Sequence, residues 1–201
     1  MTVPTMPGIS ARTITTSRLT TRVLFSGPDD GVPVLFIHGN SSSATWWEET
    51  MVALPPGYRG IAPDQRGFGD ADPSAKIDAT QGIGDLAADA VALLDHLGIA
   101  RAHVVGNSLG GVVVWRMMMD SADRMLTVTQ ADPGSPYGFG GTKDVDGTPC
   151  TDDFAGTGAG LVSPELIRLM AAGDRSTDSR FSPRNAIRVL IVKPPFIPAR
   201  E

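Results

Sequence analysis

The stretch His103 to Trp115, HVVGNSLGGVVVW, constrains the fold of this chain more than any other. An apolar run leads into Gly106, a serine stands at 108 among small residues, and a second apolar run follows from Val112. The pentapeptide Gly106-Asn107-Ser108-Leu109-Gly110 has the spacing G-x-S-x-G. It predicts a strand over 102–106, a sharp turn, and a helix over 109–120. Such a turn holds the serine in a strained backbone conformation, and the two glycines remove side chains that would clash where strand and helix pass closely. The hydroxyl then stands at a helix N-terminus, where unpaired amides and the positive end of the helix dipole favour developing negative charge. The plainer alternative is an ordinary turn in which Ser108 caps the helix.

The rest of the chain sets this motif in an alternation of strands and helices. Residues 12–26 are rich in Thr, Ile and Val and read as one or two strands, a hairpin. VPVLFIHG at 32–39 is a continuous apolar run, as expected for a strand buried on both faces. A short helix precedes Pro55 and Pro56, and YRGIAPDQRG supplies another strand ending near Asp64. Leu86, Ala90, Leu93, Leu94 and Leu97 share one helical face, and Gly98 sits where that helix would stop. Asp78 and Gln81 have capping-box spacing, which would start the helix early. A further strand is expected over 126–131 and a short helix from Pro164 to Ala172. Alternation of this kind predicts an α/β fold, a mostly parallel sheet flanked by helices. From 134 the sequence becomes dense in Gly, Thr and Asp, an irregular excursion too long for an ordinary connection.

Composition excludes several classes of partner. The net charge is −5, so nothing favours nucleic acid or an anionic membrane. No apolar run approaches the roughly 18–20 residues of a membrane helix, and the N-terminus lacks a secretory signal pattern; a cytoplasmic protein is expected. The one cysteine, Cys150, is expected to be a free thiol. The histidines lack ligand spacing, so no metal and no other cofactor is expected.

A second element is His38-Gly39-Asn40, at the end of the apolar run over 32–39. In a parallel sheet its carboxyl end shares a rim with Ser108. A tight turn there presents the Asn40 N–H toward the space before Ser108, and with the Leu109 N–H makes two donors for a tetrahedral oxyanion. A plain turn after the strand is the alternative.

FIHGN at 36–40, APDQRGFGDAD at 62–72 and VVGNSLGG at 104–111, in that order and separation, resemble the α/β-hydrolase superfamily in its serine-nucleophile branch. The resemblance covers about residues 15–135, the N-terminal two-thirds of that fold. It implies Ser108 as nucleophile, Asn40 and Leu109 as oxyanion hole, and a structural Arg66. It places a core of strands one to six over 1–133 and the start of an inserted cap over 134–201. A nucleophilic Ser, rather than Asp, argues against the epoxide hydrolases and haloalkane dehalogenases of the same fold.

The family order is Ser, then an acid, then His. All three histidines here, His38, His96 and His103, precede Ser108. His38 lies in the oxyanion motif and His96 near a helix end. His103 opens the strand toward Ser108, about 16 Å of extended chain away. None is a credible general base. Asp132, at the end of the sixth strand, is a candidate acid or simply a turn residue. The seventh and eighth strands and the last helix of the family pattern are not found, which would leave the sixth strand as a bare edge.

The expectation is therefore a serine hydrolase acting on a small-molecule carboxylic ester or lactone through an acyl-Ser108 intermediate. A complementary C-terminal polypeptide would supply the His, the acid and the last strands. A carbon–carbon bond hydrolase or a cofactor-free haloperoxidase is possible on the same scaffold. The alternatives are a truncated inactive relative and a non-catalytic ligand-binding protein. Trp46, Trp47, Tyr137 and Phe139 are candidates for lining an apolar pocket, or for ordinary packing.

Overall fold

A computed structural model describes residues 5–135, 144, 146, 148 and 163–188. The chain divides into two compact units, Met1–Pro136 and Tyr137–Glu201.

The first unit is built on six strands: β1 (Ser10–Thr15), β2 (Thr20–Ser26), β3 (Val32–Ile37), β4 (Tyr58–Pro63), β5 (Ala102–Asn107) and β6 (Met125–Ala131), in the spatial order β1-β2-β4-β3-β5-β6. β1 and β2 form the expected hairpin, and β2 pairs antiparallel with β4. The remaining pairs, β3–β4, β3–β5 and β5–β6, are parallel. Each parallel crossover carries a helix: α1 (Glu48–Val52), α2 (Gly84–His96) and α3 (Leu109–Asp120).

Side-chain alternation along the strands divides the core in two. Val23, Phe25, Leu35, Ile37 and Ile61 pack with Leu86, Leu93, Leu94, Val113 and Met117 of α2 and α3. Their neighbours Leu24, Val34, Phe36 and Ala62 face the other way and pack with Trp47 and Met51 near α1. The apolar run over 32–39 is continuous because its strand feeds both layers.

Helix α2 ends as its sequence requires. Gly98 adopts φ +68°, and the Ile99 N–H returns to the Leu94 carbonyl at 2.9 Å. Its start corrects the sequence expectation. Asp78 accepts from the backbone N–H of Thr80 at 3.0 Å and from the Gln81 side chain at 3.1 Å, closing a separate 3-10 turn over Ala79–Gln81. The Asp78 side chain is thus used locally, and α2 starts only at Gly84.

The sheet reverses its winding at β3. The chain steps from β3 outward to β4, then crosses back to place β5 on the other side of β3. The carboxyl ends of β3 and β5 therefore flank a topological switch point, the place where open α/β sheets leave a crevice.

In the second unit, α4 (Pro164–Ala171) follows Ser163 and has Pro at its first position, and α5 (Pro183–Ala186) is a single turn. Asn185 donates from Nδ2 to the carbonyls of Thr177 and Ser179, fixing the loop before α5.

Candidate functional site

The turn between β5 and α3 carries Ser108 at φ 53° and ψ −117°, a conformation sparsely populated by non-glycine residues. Holding it costs about 1–3 kcal/mol, supplied by surrounding contacts. Here the Ser108 carbonyl accepts from the N–H groups of Gly111, Val112 and Gly134, and the Ser108 N–H donates to the Ala131 carbonyl. Asn107 adds a side-chain bond from Nδ2 to the same Ala131 carbonyl, at 2.9 Å.

The glycines act through space. A Cβ on Gly106 would stand 2.7 Å from the Gly110 carbonyl oxygen, and one on Gly110 would stand 2.1 Å from that of Ile37. Neither contact is tolerable, so the pair lets α3 start directly against the ends of β5 and β3. Ser108 is half-buried, not packed into the interior. Among the described residues no side chain is hydrogen-bonded to its hydroxyl.

Gly39 brings the second motif to the same place. A Cβ there would lie 3.0 Å from Asn107 Oδ1 and 3.1 Å from Ser108 Cβ, so the backbone after β3 runs against the serine turn. The exposed Asn40 follows. Its side-chain oxygen accepts from the Ser41 N–H at 2.9 Å. Among the described residues the Asn40 and Leu109 N–H groups have no hydrogen-bond acceptor. An N–H at the first position of a helix has none within the helix.

Buried charge holds this loop from behind. Asp64, fully buried at the end of β4, accepts from Arg22 on β2, from the Ala44 N–H at 2.7 Å and from the Asp70 N–H at 2.9 Å. One carboxylate thus joins β2, the loop after β3 and the loop after β4. Arg66 makes a two-pronged pair with Asp89 on α2, at 2.7 and 2.8 Å, the structural role the resemblance implied. Sequence reasoning missed both buried pairs, Arg22 with Asp64 and Arg66 with Asp89. The available signal was a polar residue inside each apolar pattern: Arg22 in a β strand, Asp89 on the inner face of α2.

The histidines lie where expected. His38 is fully buried, bonded to Gly39 and Gln65. Burial lowers its pKa from the ordinary 6.5, against the Gly39 hydrogen bond and Asp64. His96 is exposed at the end of α2. His103 pairs with Thr127 at the far end of β5. No histidine is bonded to Ser108.

Asp132 follows the Asn107–Ala131 pair and so stands beside Ser108 on the same rim. It has φ 50° and an exposed side chain with no hydrogen bond or ion pair among the described residues. Two residues on, the chain is anchored at Gly134, whose carbonyl accepts from Trp115 Nε1 at 3.1 Å and whose N–H donates to the Ser108 carbonyl.

Of the aromatic candidates, Trp47 is a packing residue: it is buried with its ring 5.1 Å from that of Phe36. Trp46 remains 46% exposed and is, of the two tryptophans, the one that faces solvent. Tyr137, Phe139 and Cys150 lie outside the described residues. No described residues form a group of three or more His, Cys, Asp or Glu placed to hold a metal ion. No helix among them is long and apolar enough to cross a membrane.

Residues 32–147 match the sequence profile of the alpha/beta hydrolase fold. The chain belongs to that family. Within it, the chain is 38% identical over 118 residues to epoxide hydrolase A of Mycobacterium tuberculosis, covering 58% of this chain and 36% of the relative. It is 40% identical over 110 residues to the non-heme chloroperoxidase of Streptomyces lividans, covering 54% and 35%. A solved serine hydrolase from Cycloclasticus zankles aligns with TM-score 0.57 at 26% identity, covering 65% of this chain and 48% of that one. This alpha/beta hydrolase chain thus spans about a third of the length of the two curated relatives and about half that of the solved one.

Proposed function

We propose that this chain carries the nucleophile and oxyanion half of a serine hydrolase acting on a small carboxylic ester or lactone. The observation that carries the reading is Ser108 held at φ 53° on the switch-point rim, with Gly39 against it and the Asn40 and Leu109 amides unpaired. Ser108 Oγ attacks the acyl carbon and its proton passes to a base. The carbonyl oxygen becomes an oxyanion facing the two amides. Collapse expels the alcohol, which takes that proton, and leaves the acyl-Ser108 ester. Water repeats the sequence to release the acid.

Among the described residues no base stands beside Ser108, since each of the three histidines is engaged or located elsewhere. A complementary polypeptide corresponding to the remaining length of the relatives would bring it, along β6, with Asp132 as the acid orienting it. The Ser nucleophile favours acyl transfer over epoxide opening, for which the resemblance gives an Asp nucleophile.

The test is p-nitrophenyl acetate hydrolysis together with fluorophosphonate labelling, comparing the native chain with Ser108→Ala. Turnover and labelling that both vanish in the variant support the reading. Turnover indifferent to Ser108→Ala overturns it.

A further inference from the structure

We infer that Trp115 is a positioning residue: its indole N–H pins the segment after β6 across the nucleophile turn and so holds the Leu109 amide toward the oxyanion. The inference rests on the reading of Ser108 given above.

Both peptide units that meet at Ser108 are bound by that segment. The Ser108 N–H donates to the Ala131 carbonyl at 3.2 Å, and the Gly134 N–H donates to the Ser108 carbonyl at 3.2 Å. The first bond orients the peptide before Ser108 and the second the peptide after it. Together they set its two dihedrals, φ 53° and ψ −117°. A strained backbone persists only where its surroundings over-determine it in this way. The Ser108 carbonyl and the Leu109 N–H belong to one planar peptide and point in opposite directions. Holding the carbonyl on Gly134 therefore aims the Leu109 N–H away from the segment and toward the proposed oxyanion. The Gly111 and Val112 N–H groups reach the same carbonyl at 2.9 and 3.3 Å, but both belong to α3 and move with it. Among the described residues, Gly134 is the one donor to it from outside that helix.

Trp115 fixes Gly134 from further along α3. The half-buried indole donates from Nε1 to the Gly134 carbonyl at 3.1 Å. Helix and segment are interlocked by two glycines. A Cβ on Gly111 would stand 2.5 Å from Pro133 Cβ, and one on Gly134 would stand 2.6 Å from Val112 Cγ2. Their absence lets the segment lie flat on the first turn of α3. Gln130 adds a second tie, from Nε2 to the Gly111 carbonyl at 3.1 Å. Asp132, at φ 50°, lies between the bonded residues Ala131 and Gly134, so the same pin bears on the candidate acid. A side chain present only for packing would need no donor at this point, and a phenyl ring would serve.

The test compares the native chain with Trp115→Phe, which keeps an aromatic ring and loses the N–H. A third sample is Trp115→His, whose Nε2 takes the place of the indole nitrogen on a five-membered ring. The readouts are deuterium exchange of the indole N–H, 15N NMR of the Leu109 and Gly134 amides, and the rate of fluorophosphonate labelling of Ser108. The Trp115 N–H is expected to exchange more slowly than that of the exposed Trp46. The Leu109 and Gly134 resonances move in Trp115→Phe and return toward their native positions in Trp115→His. Labelling falls about 10-fold in Trp115→Phe, less than the roughly 10²–10³-fold of losing an oxyanion donor outright, and recovers to within about three-fold in Trp115→His. An indole N–H that exchanges as fast as that of Trp46, or equal Leu109 shifts in the two variants, overturns the inference. Equal labelling of the native chain and Trp115→Phe does so too. Should the native chain itself fail to label, the Ser108 reading fails, while the indole exchange and the Leu109 shifts still decide the role of Trp115.

Discussion

The two flanks of the switch point are finished to different degrees. On the β2–β4–β3 flank the charged groups are buried and paired: Asp64 with Arg22, and Arg66 with Asp89. On the other flank β6 is the edge of the sheet among the described residues, with Met125 its only buried residue and Leu126 42% exposed. Met118 and Met119 at the end of α3 are exposed as well, and Asp132 has no partner among the described residues. The contrast teaches that the two parts of acyl transfer make different demands. On the reading proposed above, stabilising an oxyanion needs rigid amides, which a loop clamped from behind would provide, and moving a proton needs a base, which a complementary polypeptide would bring.

The largest expected effect tests that division directly. A polypeptide corresponding to the rest of the relatives' length, bearing a histidine, should raise p-nitrophenyl acetate turnover on the order of 10⁴–10⁶-fold, because that is the scale of losing a triad base. Ser108→Ala should abolish the gain. A rise that persists in the variant would break the comparison at its root.

Next in size is the stability contrast between two carboxylates. Asp64→Ala removes the buried partner of Arg22, leaves it only the half-exposed Asp70 at 3.4 Å, and should cost about 3–5 kcal/mol in urea denaturation. Asp132→Asn, on the exposed flank and compatible with φ 50°, should stay within about 0.5 kcal/mol. Equal losses would show that the flanks are not unlike.

A smaller effect follows from His38. Its folded pKa lies below 6.5, so the unfolded chain takes up a proton near that pH while the native chain does not. The contribution is fully present above pH 6.5 and is lost as pH falls toward the folded pKa, by at most about 1.4 kcal/mol per pH unit. Denaturation at pH 7.0, 6.0 and 5.5 should show this slope in the native chain and a flatter one in His38→Asn.

The smallest change in stability is expected at the edge. Leu126→Lys should alter unfolding by no more than about 0.5 kcal/mol, yet size-exclusion profiles should shift toward monomer, because a lysine blunts strand-to-strand association. An unchanged profile would mean that β6 is not the exposed template it resembles.

Much of this was legible in sequence because it depends on local period and local chemistry. The strand, turn and helix around Ser108 follow from apolar runs and two glycines, and α3 spans Leu109–Asp120 as the spacing predicts. The Asp78–Gln81 turn was misread because a capping pattern cannot tell whether its helix starts at once or six residues on. Trp46 and Trp47 are adjacent and chemically identical. Only their turn about the 3-10 axis sends one into the core and the other to solvent.

By itself the sequence determined the α/β alternation and the position of the strained serine, since each is a matter of residue type and order along the chain. Tertiary structure alone decided that Gly39 meets Ser108, that Asp64 joins three elements, and that the buried His38 ring meets the loop after β4 at Gln65. These are contacts between segments far apart in the chain. They exist only once β3 and β5 are paired side by side, and residue spacing along a chain carries no record of that distance.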